Sequence, residues 1–189
     1  GKRSLGSVSG LCFRDGDHLV NTGARPAFLD VNSLPLPARD VGPLMRYRAL
    51  STPISMTTGR GCPFQCIFCV GRKLVGAKIR WRDARSVVDE MGALAALGFH
   101  QINEADYLFT AKKSHALAVC DEIIRRGLKV SWVSFANVNT VDVPLLERMR
   151  EAGCTTVSFG LESGDPEILK TVRKGTRPTG MIEAVKACT

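Results

Sequence analysis

The chain has 189 residues, 44% of them hydrophobic and 23% charged, the size and make-up of one globular domain able to bury a core. Its formal charge is +8, from 26 basic against 18 acidic side chains, and no apolar run approaches the ~20 residues needed to span a bilayer. Seven cysteines without an apolar signal segment point to thiols kept reduced, and so to a cytoplasmic protein whose thiols serve metals rather than disulfides.

Residues 1 to about 50 read as an irregular N-terminal extension, because Pro26, Pro35, Pro37 and Pro43 interrupt any long helix. Within it, Leu11 to Val20 reads as a small hairpin, two short apolar stretches around Asp15-Gly16. A 1–50 linker and a 51–189 core domain are expected. The chain opens at Gly1 and stops at Thr189 inside a helical pattern, as a fragment would.

From Ile54 onward a unit recurs: apolar strand, polar loop, amphipathic helix, then glycine and the next strand. Gly98, Gly127 and Gly153 stop successive helices at intervals of 29 and 26 residues, a period that suits the β/α units of a parallel barrel. The first strand runs near Ile54 to Thr58. Its helix spans about Ala84 to Leu97 behind an Asp83 cap, with Val87, Val88, Met91 and Leu94 on one buried stripe. The second strand, Phe99 to Asn103, leads into Glu104-Ala105-Asp106-Tyr107-Leu108-Phe109-Thr110 and a helix with Leu117, Cys120, Ile123 and Ile124 on one face. The third, Lys129 to Phe135, ends in Ser134, Asn137, Asn139 and Thr140, after which Asp142 caps a helix carrying Pro144 in its first turn. The fourth, Thr155 to Phe159, reads as buried and ends in Gly160-Leu161-Glu162-Ser163-Gly164, with helices after Asp165-Pro166 and from about Pro178.

Between the first strand and its helix lies Gly61-Cys62-Pro63-Phe64-Gln65-Cys66-Ile67-Phe68-Cys69. Three closely spaced thiols on a loop flanked by Gly59, Gly61 and Gly71 can turn onto one soft centre, and thiolates select zinc or an iron–sulfur cluster. A structural zinc takes a fourth closing ligand, whereas a cluster on three thiolates keeps one iron free. His18, His100 and His115 are all isolated, and Cys12, Cys120, Cys154 and Cys188 lack pair spacing and read as small buried hydrophobes. Gly59 and Gly61 read as suppliers of unusual backbone angles. The densest basic group, Arg72, Lys73, Lys78, Arg80, Arg82 and Arg85, has only Trp81 as an interleaved aromatic. A solvated face or an anionic substrate is therefore expected there, and a nucleic-acid partner is not. Because the site of a parallel β/α barrel lies at the carboxyl ends of its strands, candidate residues come from four of them. They are the cysteine loop, Glu104 with Asp106, Ser134 with Asn137, and Glu162 with Ser163.

At these residues the sequence resembles the radical S-adenosylmethionine (radical SAM) superfamily, whose signature is this cysteine spacing with an aromatic residue just before the third cysteine, here Phe68. The resemblance implies an α/β fold, a partial parallel (β/α) barrel of about four units. It implies a [4Fe-4S] cluster on Cys62, Cys66 and Cys69, with the amino and carboxylate groups of S-adenosyl-L-methionine chelating the fourth iron. It also implies reductive cleavage of that cofactor to a 5′-deoxyadenosyl radical, hydrogen abstraction from a small-molecule substrate, and an electron donor such as flavodoxin or ferredoxin.

Residue by residue, Glu104 and Asp106 loosely resemble the family's acidic element for the amino group of S-adenosylmethionine. Where cobalamin-linked members carry Asp-Asp before Phe-Thr, this chain has Asp106-Tyr107 before Leu108-Phe109-Thr110. The segment from Phe159 to Gly164 is similar to the fourth-strand element whose Glu, here Glu162, contacts that cofactor; Asn137 stands where many relatives have Arg. Lys174-Gly175 matches a packing and turn element. The run from Leu34 to Asp40 resembles the linker to an upstream cobalamin-binding domain, implying cobalamin held outside this chain and methyl transfer or rearrangement. A methylthiotransferase acting on RNA or protein is the alternative within the family, and a metal-stabilised nucleic-acid-binding module without catalysis is the alternative outside it. The open edge of a half-barrel would be covered by a second copy, giving a homo-oligomer.

Overall fold

The computed structural model describes residues 4–188 apart from 26, 40 and 43, so the expectations attached to Gly1, Pro26, Asp40, Pro43 and Thr189 lie outside the described residues. After a 3-10 turn at Leu5–Ser7, the N-terminal extension forms β1 (Cys12–Asp15) and β2 (His18–Asn21), an antiparallel hairpin with Asp15 opposite His18. Its two turn residues are Gly16 and Asp17, and Gly16 takes φ 57°, the left-handed angle that a tight hairpin turn demands. Beyond the hairpin come one 3-10 turn, Val31–Ser33, and one helix, α1 (Leu44–Ala49).

The extension is tied to the core by named bonds. Arg39 Nη2 donates to Ser55 O at 3.0 Å and to Glu90 Oε1 at 2.6 Å. The Asn32 side chain donates to Trp81 O at 3.2 Å and accepts from Asp83 N at 2.7 Å. The Arg80 guanidinium lies 4.1 Å over the Phe28 ring.

The core begins with β3 (Ile54–Met56). Two two-residue strands, β4 (Gly59–Arg60) and β5 (Arg80–Trp81), then pair antiparallel and clasp the ends of the cysteine loop, which carries α2 (Gly71–Val75). The sequence pattern gave no sign of this clasp, because two residues are too few for any periodicity to register. The rest alternates as expected: α3 (Ala84–Ala96), β6 (Gln101–Glu104), α4 (Lys113–Arg125), β7 (Ser131–Ala136), α5 (Val143–Glu151), β8 (Cys154–Phe159), α6 (Pro166–Thr171) and α7 (Pro178–Lys186). The four long-range strands form one parallel sheet in the order β3-β6-β7-β8. This is the expected α/β half-barrel of four units.

Local signals set most boundaries. Gly98, Gly127 and Gly153 stop helices at φ 87°, 61° and 89°. Asp142 Oδ1 accepts from Leu145 N at 3.0 Å and Asp165 Oδ1 from Glu167 N at 2.7 Å, each capping a helix with proline in its first turn. Asp83 occupies the cap position of α3 but makes no side-chain cap, contrary to expectation; its own N–H is held by Asn32 instead.

Helices α3, α4 and α5 cover one face of the sheet. Val87, Met91, Leu94, Ile123, Leu145 and Met149 pack there with Ile102, Phe109 and Trp132, each large side chain contributing about 1.5–3 kcal/mol by leaving water. The Trp132 indole donates to Ala152 O at 2.9 Å, so its one polar atom is satisfied. Cys120 and Cys154 are buried as expected, and burial pushes both thiols up to about 12. Cys12 and Cys188 are exposed, contrary to expectation, because the hairpin and the end of the last helix have no layer over them. The fourth strand also departs from its reading as buried: Thr155, Thr156 and Ser158 are exposed, since β8 is an edge of the sheet among the described residues. No helix among the described residues is long and apolar enough to cross a membrane.

Candidate active site

The cysteine loop leaves the carboxyl end of β3 through Gly61, at φ 130°, where a Cβ would stand 2.4 Å from Lys78 O; only glycine passes. Gly59 does not share that unusual angle. It is glycine because a Cβ would meet the Trp81 ring at 2.8 Å, a correction to the expectation that it supplies backbone freedom. Cys62 N donates to Gly76 O at 3.0 Å, Cys69 N to Cys66 O at 3.2 Å, and Ile67 N to Val172 O at 3.1 Å, so the tip is pinned just past α6.

Gly71 N donates to Cys69 Sγ at 3.3 Å, the kind of bond to sulfur that sets a cluster's potential. Burial pushes the Cys62 thiol up. Three thiols with N–H groups at hand form a donor set of the right softness for an iron–sulfur cluster. The three share one loop; among the described residues no three Cys, His, Asp or Glu side chains gather on one point.

Two acids end β6. Glu104 is 0% exposed; its Oε1 accepts from Asp106 N at 2.7 Å and its Oε2 from Ser134 Oγ at 2.8 Å. Burial raises the Glu104 carboxyl well above the usual range, and the Asp106 charge beside it adds to the shift. Asp106 Oδ1 accepts from Thr58 N at 2.8 Å and Gly59 N at 3.1 Å, and Oδ2 accepts from Thr58 Oγ1. Burial raises this carboxyl too, opposed by those bonds. The two acids expected to hold a cofactor's ammonium are thus engaged with the protein: Asp106 fastens the chain where it enters the cysteine loop, and Glu104 with Ser134 braces Asp106.

Asn137 has a similar local duty, accepting from Asn139 N at 2.9 Å in the turn after β7. Ser163 Oγ accepts from Asp165 N at 3.0 Å and shapes the entry to α6. Asp106 and Asn137 thus accept from backbone N–H groups of their own surroundings, whereas Cys62, Cys66, Cys69, Phe68 and Glu162 keep exposed or half-buried side chains at the strand ends. Glu162 Oε1 accepts from Lys174 Nζ at 2.9 Å, and Lys174 Nζ lies 5.8 Å from the centre of the Phe68 ring.

Two residues absent from the sequence-based set stand in this site. Tyr107 lies against Gly71, where a Cβ would be 2.6 Å from Tyr107 Cε1 and 3.2 Å from Cys69 Sγ, so the ring forms a wall of the cysteine loop. Its place in the Asp-Tyr departure from Asp-Asp was the available signal. Lys174 is the other; its turn position gave none.

Three members of the basic group after the loop are anchored within the domain. Arg72 donates to Pro63 O, Arg80 to Val75 O, and Arg82 to Thr57 O and to the buried Glu90.

The profile of the Radical SAM superfamily matches residues 56–189, from the end of β3 through every strand-end residue above. The chain belongs to the radical SAM superfamily. It is 34% identical, over 97% of its length, to an uncharacterized methyltransferase of Pyrococcus horikoshii, of which it covers 40%. It is 33% identical, over 95% of its length, to an anaerobic magnesium-protoporphyrin IX monomethyl ester cyclase of Cereibacter sphaeroides, of which it covers 30%. Its fold matches that of OxsB, a cobalamin-dependent S-adenosylmethionine radical enzyme solved with aqua-cobalamin and S-adenosylmethionine bound. There the TM-score is 0.83 at 21% identity, covering 98% of this chain and 28% of that one. The radical SAM chain described here thus spans less than half the length of these relatives.

Proposed function

We propose that this chain is the cluster- and S-adenosylmethionine-binding part of a radical SAM methyltransferase, with Cys62, Cys66 and Cys69 holding a [4Fe-4S] cluster. One observation carries the reading: within the family match, a three-cysteine loop stands at the carboxyl end of β3, beside the ends of the three strands parallel to it. When bound, the cluster supplies the electron that cleaves S-adenosylmethionine and so starts hydrogen abstraction from substrate.

The protein's own residues hold and screen. Phe68 and Tyr107 wall the loop, and Gly71 N–H donates to a thiolate sulfur, favouring the charge that gathers there. Glu162 offers a carboxylate to the donor groups of S-adenosylmethionine. Ser134, Glu104 and Asp106 form a dry brace that keeps the start of the loop in place. Methyl transfer with cobalamin held outside these residues is supported by the relatives named methyltransferase and cobalamin-dependent. The same reading includes a small-molecule substrate, a flavodoxin- or ferredoxin-like electron donor, a reducing cytoplasmic setting and coverage of the β8 edge by a second copy.

The test is anaerobic reconstitution with iron and sulfide, followed by electron paramagnetic resonance of the reduced protein with and without S-adenosylmethionine. The expected result is about four irons per chain and a signal that changes on adding S-adenosylmethionine, both lost when the three cysteines become alanine. One tightly held zinc with no sulfide would replace this reading with the metal-stabilised module.

A further inference from the structure

A groove of about 490 Å³ runs beside the cysteine loop, between the N-terminal extension and α2. Arg25, Arg60 and Arg80 line it with Phe28, Leu29 and Leu74, and no carboxylate does. Arg60 and Arg80 stand directly opposite each other across the β4–β5 clasp, which sets their Cβ atoms about 4.5–5.5 Å apart on one side of it. Like charges so placed repel.

Neighbouring arginines show what is missing here. Arg82 and Arg39 close on the buried Glu90 at 2.5 and 2.6 Å, whereas Arg25, Arg60 and Arg80 form no ion pair among the described residues. Arg80 spends one nitrogen on Val75 O at 2.8 Å and its face on the Phe28 ring, while its Nε is buried without a partner. The stem of Arg25 lies on Gly10, where a Cβ would stand 2.9 Å from Arg25 Cγ. Three positive side chains without a counter-charge thus surround exposed apolar ones, Phe28 and Leu29 at 65% and Leu74 at 68%. Arginine beside aromatic and aliphatic side chains is the make-up of a protein-docking surface. A single-stranded nucleic acid would need several stacking rings, and the groove offers one, already stacked on Arg80.

One backbone segment separates the groove from the thiols. Phe28 packs on Gly76, where a Cβ would stand 3.1 Å from Phe28 Cζ, and Gly76 O accepts from Cys62 N at 3.0 Å. Leu74 stands on the short helix whose first N–H, that of Gly71, donates to Cys69 Sγ. None of the candidate residues at the strand ends lines the groove.

We propose that this groove is the docking face for an acidic one-electron donor protein; this rests on the function proposed above, which requires an electron delivered to a cluster on Cys62, Cys66 and Cys69. One electron leaves the donor and one enters the cluster, and no atom passes between the proteins. Docking here brings a donor's acidic surface onto the arginines and leaves the strand ends open to S-adenosylmethionine and substrate. Small encounter surfaces of this kind are steered by charge, and salt weakens them.

The test is stopped-flow reduction of the anaerobically reconstituted chain at low and high salt, by flavodoxin hydroquinone as the acidic donor and by sodium dithionite as the small reductant. Arg25→Gln/Arg60→Gln is expected to slow reduction by flavodoxin about ten-fold at low salt and to flatten its salt dependence. Iron content and the rate with dithionite should match wild type. Lys129→Gln/Arg150→Gln, which removes the same charge just before β7 and on α5, should stay within about two-fold of wild type with flavodoxin.

Unchanged flavodoxin rates in the Arg25/Arg60 variant, or equal slowing in the two double variants, would overturn the assignment while the function above stands. Loss of iron or of dithionite reduction in the Arg25/Arg60 variant would make these arginines part of the loop's structure and also overturn it. Saturable binding of inorganic phosphate, or binding of single-stranded oligouridylate tighter than that of flavodoxin, abolished by the same double variant, would give the groove another occupant and overturn the proposal. A wild-type protein that takes up no cluster would overturn the proposed function first and this inference with it.

Discussion

The carboxyl ends of β6 and β8 each present an acid, and the two acids do different work. At the end of β6, Asp106 is buried and its two oxygens take three protein donors, while Glu104 beside it is buried with its carboxyl raised well above the usual range, by burial first and by the Asp106 charge second. On β8, Glu162 is partly exposed, holds a left-handed backbone angle, and spends one oxygen on Lys174. A buried carboxylate is costly to carry unless its lone pairs are filled, so a fully saturated one becomes part of the frame. A carboxylate at an open edge can leave an oxygen unfilled at little cost, because water fills it until a ligand arrives. Position at a strand end marks both as candidates; hydrogen-bond saturation separates the acid engaged by the protein from the one that keeps an oxygen free.

The largest effect should come from breaking the saturated end. Asp106→Ala strands two buried backbone N–H groups, Thr58 and Gly59, at roughly 1–3 kcal/mol each, so urea unfolding should show a loss of about 2–4 kcal/mol. Asp106→Asn keeps an oxygen where both N–H groups converge and should lose less than about 1 kcal/mol. Equal losses in the two variants would show that charge, not acceptor geometry, is what the loop entrance requires.

A smaller, pH-dependent difference is expected at Glu104. Its folded carboxyl titrates well above the usual 4.5, so between these values the folded state binds more protons than the unfolded one. Stability from this group is full below about pH 4.5 and declines as pH rises through the folded value. Glu104→Gln cannot titrate, and its stability relative to wild type should grow from pH 5 to pH 8 in parallel urea titrations. A constant difference across that range would mean that Glu104 is ionised throughout.

The smallest stability change belongs to the open end. Glu162→Gly removes a left-handed strain of about 1–2 kcal/mol and adds unfolded-state freedom of about 0.5–1 kcal/mol, so the melting free energy should move by no more than about 1 kcal/mol. The same variant should bind S-adenosylmethionine at least about ten-fold more weakly. A destabilisation matching that of Asp106→Ala would erase the distinction between the two strand ends.

Composition, the recurring strand–helix period and the three-cysteine spacing were enough to determine the parallel half-barrel, the order of its elements and the location of the site, because these are local, repeated features. Glycine stops and the Asp142 cap were legible for the same reason, whereas the cap expected at Asp83 did not form. The clasp of β4 with β5, the exposure of Cys12 and Cys188, and the open edge at β8 were not, since each depends on what packs alongside rather than on the segment itself. The division of labour among the acids was also out of reach. A sequence shows that Glu104, Asp106 and Glu162 follow strands; only three-dimensional proximity shows which donors reach them. Lys174 is the clearest case: twelve residues beyond Glu162 in the chain, it meets that carboxylate because a left-handed turn at Arg173 folds it back over Gly160, a contact that no local pattern encodes.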